Sequence, residues 1–286
     1  MYLYLMFFLL SVSNYYVVWF LMEMMFLFFF IFVINKEEKS VGLVIYFFIQ
    51  TVLSMLLFIG LFMFMEKLIF MILMAKLGLF PFFYWVIVVS MKLGMIGNMF
   101  VLSLQKISVF WLMWLSGSIS FIYLYVLAYL SMFFVVVNLS LVSDLWLLLV
   151  YSSIANSGMM VLSVYGSQYM LIVIVYLLVV LFIIYLMSIL SNYFEISMLV
   201  LMFLVVPPFI LFFFKFYVIL SMDYFLKLGL LFSLFDVLVL VYYFSMLFMK
   251  FMLMDMGILI YFLNMFLLIS MLVFSNCVTM IVFYKS

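Results

Sequence analysis

The stretch Leu73-Met74-Ala75-Lys76-Leu77-Gly78-Leu79-Phe80-Pro81-Phe82-Phe83-Tyr84 sets a lysine inside an apolar run and follows it with a glycine and a proline. The run continues on both sides, from Leu68 to Ala75 and from Trp85 to Val89. The rest of the chain has the same character. Of 286 residues 75% are hydrophobic and 7% charged, with a mean hydropathy of +1.64, whereas a soluble domain is about half apolar and about a quarter charged. Lipid is therefore the solvent. In lipid every backbone polar group must be satisfied within the protein, which leaves helices and closed barrels. The unbroken apolar runs exclude the alternation of a barrel strand. With about 20 residues per span, the expected fold is all-α: a polytopic transmembrane bundle of about eleven helices in a single domain, 1–286.

Toward the N-terminus, a short first helix and a second one lead to the charged loop Asn35-Lys36-Glu37-Glu38-Lys39. A third helix is expected over Val41 to Phe64, a fourth over Lys67 to Ser90, a fifth over Gly94 to Leu115 and a sixth over Ile119 to Val137. Asp144 opens a seventh reaching Val164, and Gly166-Ser167-Gln168 turns into an eighth ending near Asn192. A ninth contains Pro207-Pro208, and segments Asp223 to Met249 and Gly257 to Phe283 complete the set. Two helices should be broken, near Pro81 and near Pro207-Pro208. A proline removes one intrahelical hydrogen bond, so Pro81 is expected to free the carbonyl of Leu77, and Pro207 and Pro208 those of Phe203 and Leu204.

Most charges fall in loops or near helix ends, where solvation accounts for them. Glu23, Lys76, Lys106 and Lys215 instead lie well inside apolar runs. A charge at the bilayer centre costs about 2.5–3.5 kcal/mol on insertion scales, so such groups face a bundle interior or a hydrated cavity and seek partners. Burial disfavours an ammonium and a neighbouring carboxylate favours it, which lets a lysine under both influences exchange a proton near neutral pH. Glu23 and Lys76 form the expected coupled pair. The competing reading has each lysine snorkel on its aliphatic stem to the nearest interface and merely anchor a helix. The two prolines weigh against that reading, because freed carbonyls at membrane depth must line water or be buried in protein. Asp236 is balanced between a proton-active group and a helix-end residue. Trp111 and Trp114 read as packing or interface aromatics.

Composition excludes other classes. Ten lysines, no arginine and a net charge of +1 leave no basic face for nucleic acid. One cysteine, Cys277, and no histidine leave haem, iron–sulfur and zinc sites without their ligands, so no cofactor is expected in this chain. Forty Phe, thirty Met and twenty-one Tyr beside three Pro fit an A+T-rich mitochondrial genome. With no presequence or secretory signal pattern at the first residues, synthesis and insertion inside the mitochondrion are expected.

The run from Ala75 to Val86 resembles the Lys-Leu-Gly-x-x-Pro-Phe-His-x-Trp-x-Pro signature of the antiporter-like subunits of respiratory complex I. Gln105-Lys106, Glu23 within Trp-x-x-x-Glu-Met, Tyr151-Ser152-Ser153 after Asp144-Leu145, and Pro207-Pro208 before Lys215 continue the family's order over about two-thirds of the chain. The resemblance implies Glu23 and Lys76 as an interacting pair, Lys106 as the central proton-carrying lysine and Lys215 as the distal one. It implies a multi-pass protein of the mitochondrial inner membrane among other membrane-arm subunits, including neighbouring antiporter-like chains, accessory subunits and lipids such as cardiolipin. NADH, FMN, iron–sulfur clusters and ubiquinone would be bound by other subunits. The chain departs from the pattern at Phe83 and Asn156, which stand where the family has histidines, so a relay between lysines would run through water, Ser, Tyr or Asn. Proton translocation is the leading functional expectation. A structural spacer and a stand-alone secondary transporter are the alternatives, the last weakened by the lack of a visible inverted repeat.

Overall fold

A computed structural model of the chain describes residues 1–36, 41–116, 121–139 and 144–163, with Val173, Ile174, Leu177 and Tyr185 beyond them. Among the described residues the regular structure is entirely helical: α1 (Tyr2–Ser11), α2 (Tyr15–Lys36), α3 (Val41–Phe62), α4 (Glu66–Leu77), α5 (Tyr84–Lys92), α6 (Met95–Met99), a π-helical turn (Phe100–Leu104), α7 (Gln105–Ser116), α8 (Phe121–Leu139) and α9 (Leu145–Ser163). Tyr15–Asn35, Val41–Phe62 and Ile96–Ser116 are long and apolar enough to cross a membrane. The last three expected helices, with Pro207-Pro208, Lys215 and Asp236, lie outside the described residues, as do all but those four residues of the eighth and the Glu37 to Lys39 part of the charged loop.

The first two helices separate where the sequence places Ser11, Ser13 and Asn14. The Asn14 side chain accepts a hydrogen bond from the Tyr16 amide at 3.0 Å and so caps α2. α3 shows how these helices sort their residues. Its inward stripe carries Gly42, Tyr46, Gln50, Ser54 and Gly60 among leucines, while Val44, Phe48, Val52, Met55 and Ile59 are exposed. Polar groups turn inward and large apolar ones outward, the reverse of a soluble helix and the arrangement a lipid solvent requires.

The fourth expected helix, Lys67 to Ser90, is two helices. The break comes earlier than the missing amide of Pro81 would make it. α4 stops at Leu77 because Gly78 takes the left-handed conformation, φ 69°. The Gly78 amide then donates to the Ala75 carbonyl and the Leu79 amide to the Met74 carbonyl, both at 3.1 Å, the paired bonds of a glycine-terminated helix. The indole Nε1 of Trp85 reaches back over the gap to the Ala75 carbonyl at 2.8 Å. Pro81 sits in the connecting turn, after a cis Phe80–Pro81 bond, and α5 restarts at Tyr84. The fifth expected helix is also interrupted, by the π-helical turn, which the sequence did not announce.

The α7 segment is the hub: it packs on α1, α2 and α4, while α5 lies against α3 and α9, and α8 pairs with α9. Rings of Phe29, Tyr46 and Phe100 meet at 5.4–5.5 Å near its π turn. Trp111 and Trp114 do pack, with centroids 4.9 Å apart and the Trp111 indole bonded to the Val12 carbonyl.

Gly78 provides a direct check. A left-handed backbone costs a non-glycine residue roughly 1–2 kcal/mol, and a Cβ there would also run into the Val86 side chain. Gly78→Ala is expected to lower stability by at least that amount, read as a lower midpoint of thermal unfolding in detergent. An unchanged midpoint would contradict this helix end.

Candidate functional site

Three of the four singled-out charges converge on one place. Glu23 lies midway along α2, Lys76 one residue before the end of α4, and Lys106 one residue beyond the start of α7. The Lys76 Nζ stands 3.6 Å from Glu23 Oε1, with their side chains 6% and 23% exposed. The expected pair therefore exists geometrically. Lys106 is 5% exposed and donates from Nζ to the backbone carbonyl of Ser153 on α9 at 3.1 Å. Among the described residues no carboxylate pairs with it. Snorkelling is not what these two lysines do, since both heads stay inside. Lys215, the fourth, lies outside the described residues.

All three side chains line the same cavity, together with Tyr2, Tyr46, Gln50, Trp85, Gln105 and Ser108. Its volume of about 40 Å³ gives room for about three waters at roughly 10–15 Å³ each. Its polar wall comes from α1, α2, α3, α4 and α7. The chemistry on offer is an ion pair and a second lysine with no carboxylate partner among the described residues, around a polar space with room for water, a set suited to moving protons. Among the described residues no group of three or more His, Cys, Asp or Glu is placed to hold a metal ion.

Beyond the cavity lining, α9 carries a buried polar run of its own. Ser152, Ser153, Asn156 and Ser157 are all buried, and the three serines return their hydroxyls to the carbonyls of Leu149, Val150 and Ile154 at 2.7–2.9 Å. That satisfies the donors and leaves oxygen lone pairs to accept. Phe83 has a different environment. Its ring lies 3.9 Å from that of Phe134 on α8, a dry aromatic contact where the resembled signature has histidine.

Several of these residues were invisible in the sequence. Gln50 and Tyr2 had no charge to mark them, and the Ser153 acceptor is a backbone atom. The role expected of the Leu77 carbonyl passes to Gly78, whose left-handed backbone ends α4 before Pro81 can act on it.

No protein-family model and no curated protein matches this chain. Among solved structures it is similar to a chain of respiratory complex I from Thermus thermophilus with bound aureothin, with a TM-score of 0.70, 17% sequence identity, and coverage of 85% of this chain and 67% of that one. At that identity the likeness is one of fold.

A buried ion pair is far more sensitive to losing one member than to losing both. Lys76→Met alone strands the Glu23 carboxylate and is expected to cost about 3–5 kcal/mol, while Lys76→Met combined with Glu23→Leu should restore most of the loss. Thermal unfolding of the detergent-solubilised protein distinguishes the two. Equal destabilisation in single and double variants would show that the pair does not hold the helices.

Proposed function

We propose that the chain is a membrane subunit of respiratory complex I, of the type known as chain 2 of mitochondrial NADH:ubiquinone oxidoreductase in a form as short as the nematode one, and that it contributes to proton translocation. The observation that carries this reading is the shared cavity of Glu23, Lys76 and Lys106, in a fold similar to that of a complex I chain. The sequence signature around Lys76 adds support.

In this reading, redox energy released in other subunits alters the Glu23–Lys76 contact. With Glu23 close, Lys76 holds its proton. As the contact loosens, the buried ammonium loses its counter-charge and yields the proton to the hydrated cavity, from which Lys106 takes it up. Lys215 is assigned the next step by sequence alone. The redox groups and the quinone belong to neighbouring subunits, and the chain sits in the mitochondrial inner membrane among antiporter-like and accessory subunits and lipids, cardiolipin included. It carries no cofactor of its own.

One observation favours a second reading, a membrane-arm spacer whose charges only hold helices in register: the dry Phe83–Phe134 contact in the place of a histidine. A single variant separates the two. Lys106→Met keeps the shape of the side chain and removes its proton. In reconstituted complex it is expected to lower the number of protons moved per electron pair by the share this subunit carries, with assembly and NADH oxidation retained. An unchanged stoichiometry would leave only the spacer.

A further inference from the structure

Gln105 carries two buried polar atoms, its side-chain amide oxygen and nitrogen, that have no hydrogen-bond partner among the described residues. The hydroxyl of Tyr2 is buried and equally without a partner among them. Leaving such groups dry forfeits their hydration with nothing gained in return, and buried water is the usual remedy where a polar space is large enough. Both residues line the cavity that holds Glu23, Lys76 and Lys106. From these observations we infer that the Gln105 side-chain amide is a positioning group that holds water between the Glu23–Lys76 pair and Lys106, with the Tyr2 hydroxyl as its second anchor.

The local structure explains why these two residues can act together. Gln105 is the first residue after the π-helical turn, and its own amide closes that turn on the Phe100 carbonyl. The ring of Tyr2 stands edge-on to the ring of the same Phe100, with centroids 5.1 Å apart and planes at 88°. One residue thus references both anchors. A π turn carries an extra residue compared with an α turn, which re-aims the helix beyond it, and Gln105 and Lys106 are the first two residues of that helix.

The chemistry fits an amide. It donates and accepts at once and does not titrate, so it orients water whether the neighbouring lysines are charged or neutral. A proton leaving the Lys76 ammonium enters the held water, and that water gives up another to the Lys106 amine. Lys76 ends neutral, Lys106 ends as ammonium, and Gln105 and Tyr2 are unchanged. As the neutral amine that receives the proton, Lys106 spends one N–H on the Ser153 carbonyl, which leaves its other N–H and its nitrogen lone pair to the held water.

This inference rests on the proton-translocation reading, and the test keeps the two apart. Gln105→Leu, Gln105→Ser and Lys106→Met are compared in reconstituted complex for protons moved per electron pair. Water-holding predicts that Gln105→Leu, close in volume but apolar, falls as far as Lys106→Met, whereas Gln105→Ser, smaller but polar and with room for another water, stays near the parent. Packing alone predicts the opposite order, and that order overturns the inference. A loss in Lys106→Met with none in Gln105→Leu also overturns it while leaving the translocation reading intact; no loss in Lys106→Met removes both. Should the Gln105 variants fail to assemble, a map of the unmodified complex with ordered solvent decides: water within about 3.5 Å of the Gln105 amide supports the assignment and a dry amide overturns it.

Discussion

An ammonium and a carboxylate 3.6 Å apart, both held away from bulk solvent, constrain everything around them. Neither charge is tolerated alone at that depth, so α2 and α4 have to meet at one register, Glu23 against Lys76. α4 stops one residue after Lys76. Gly78 does this with a left-handed residue, and Trp85 on α5 ties the two half-helices by bonding the Ala75 carbonyl. The ion pair thus depends on a helix end, and the helix end on a glycine that leaves no room beside Val86.

The same constraint explains which features were legible in the sequence. Charges inside apolar runs are conspicuous because lipid makes them expensive, so Glu23, Lys76 and Lys106 stood out one by one, and the proline after Lys76 marked an interruption. Its location was harder to read. A proline deletes a donor wherever it falls, whereas a glycine ends a helix only if its φ turns positive, and that depends on tertiary contacts. The π turn before Lys106 is less legible still, because Phe-Val-Leu-Ser-Leu suits an α turn equally well. Backbone acceptors leave no trace at all: nothing in Tyr151-Ser152-Ser153 says that the Ser153 carbonyl receives a lysine. Lys215 and the second broken helix rest on the sequence and its resemblance.

Lys76 and Lys106 answer the problem of a buried cation in different ways. Lys76 has a formal counter-charge, and its state follows the distance to Glu23. Lys106 has a single carbonyl dipole 3.1 Å away and a polar cavity, so its proton is held by orientation rather than by net charge. An ammonium satisfied by dipoles and water is easier to neutralise than one in a salt bridge, because losing the proton strands no carboxylate. Placing the paired lysine and the unpaired one around one cavity therefore gives a charge a more firmly held position and a less firmly held one.

The two positions where the resembled signature has histidine differ in what they offer a proton. At Phe83, where the resembled signature has an imidazole, a ring packs tilted against that of Phe134, and no donor or acceptor is left at that side chain. At Asn156 an amide stands instead, which still donates and accepts. Ser153, Asn156 and Ser157 recur at i, i+3 and i+4 and so share one face of α9, all buried, beginning at the residue whose carbonyl takes the Lys106 proton donor. Among the described residues a run of buried hydrogen-bonding groups thus follows α9 from the carbonyl that receives Lys106, while the Phe83–Phe134 contact offers none. In the proton-translocation reading, a proton leaving Lys106 along α9 meets groups that neither titrate nor store it, and these must pass it through water rather than carry it themselves.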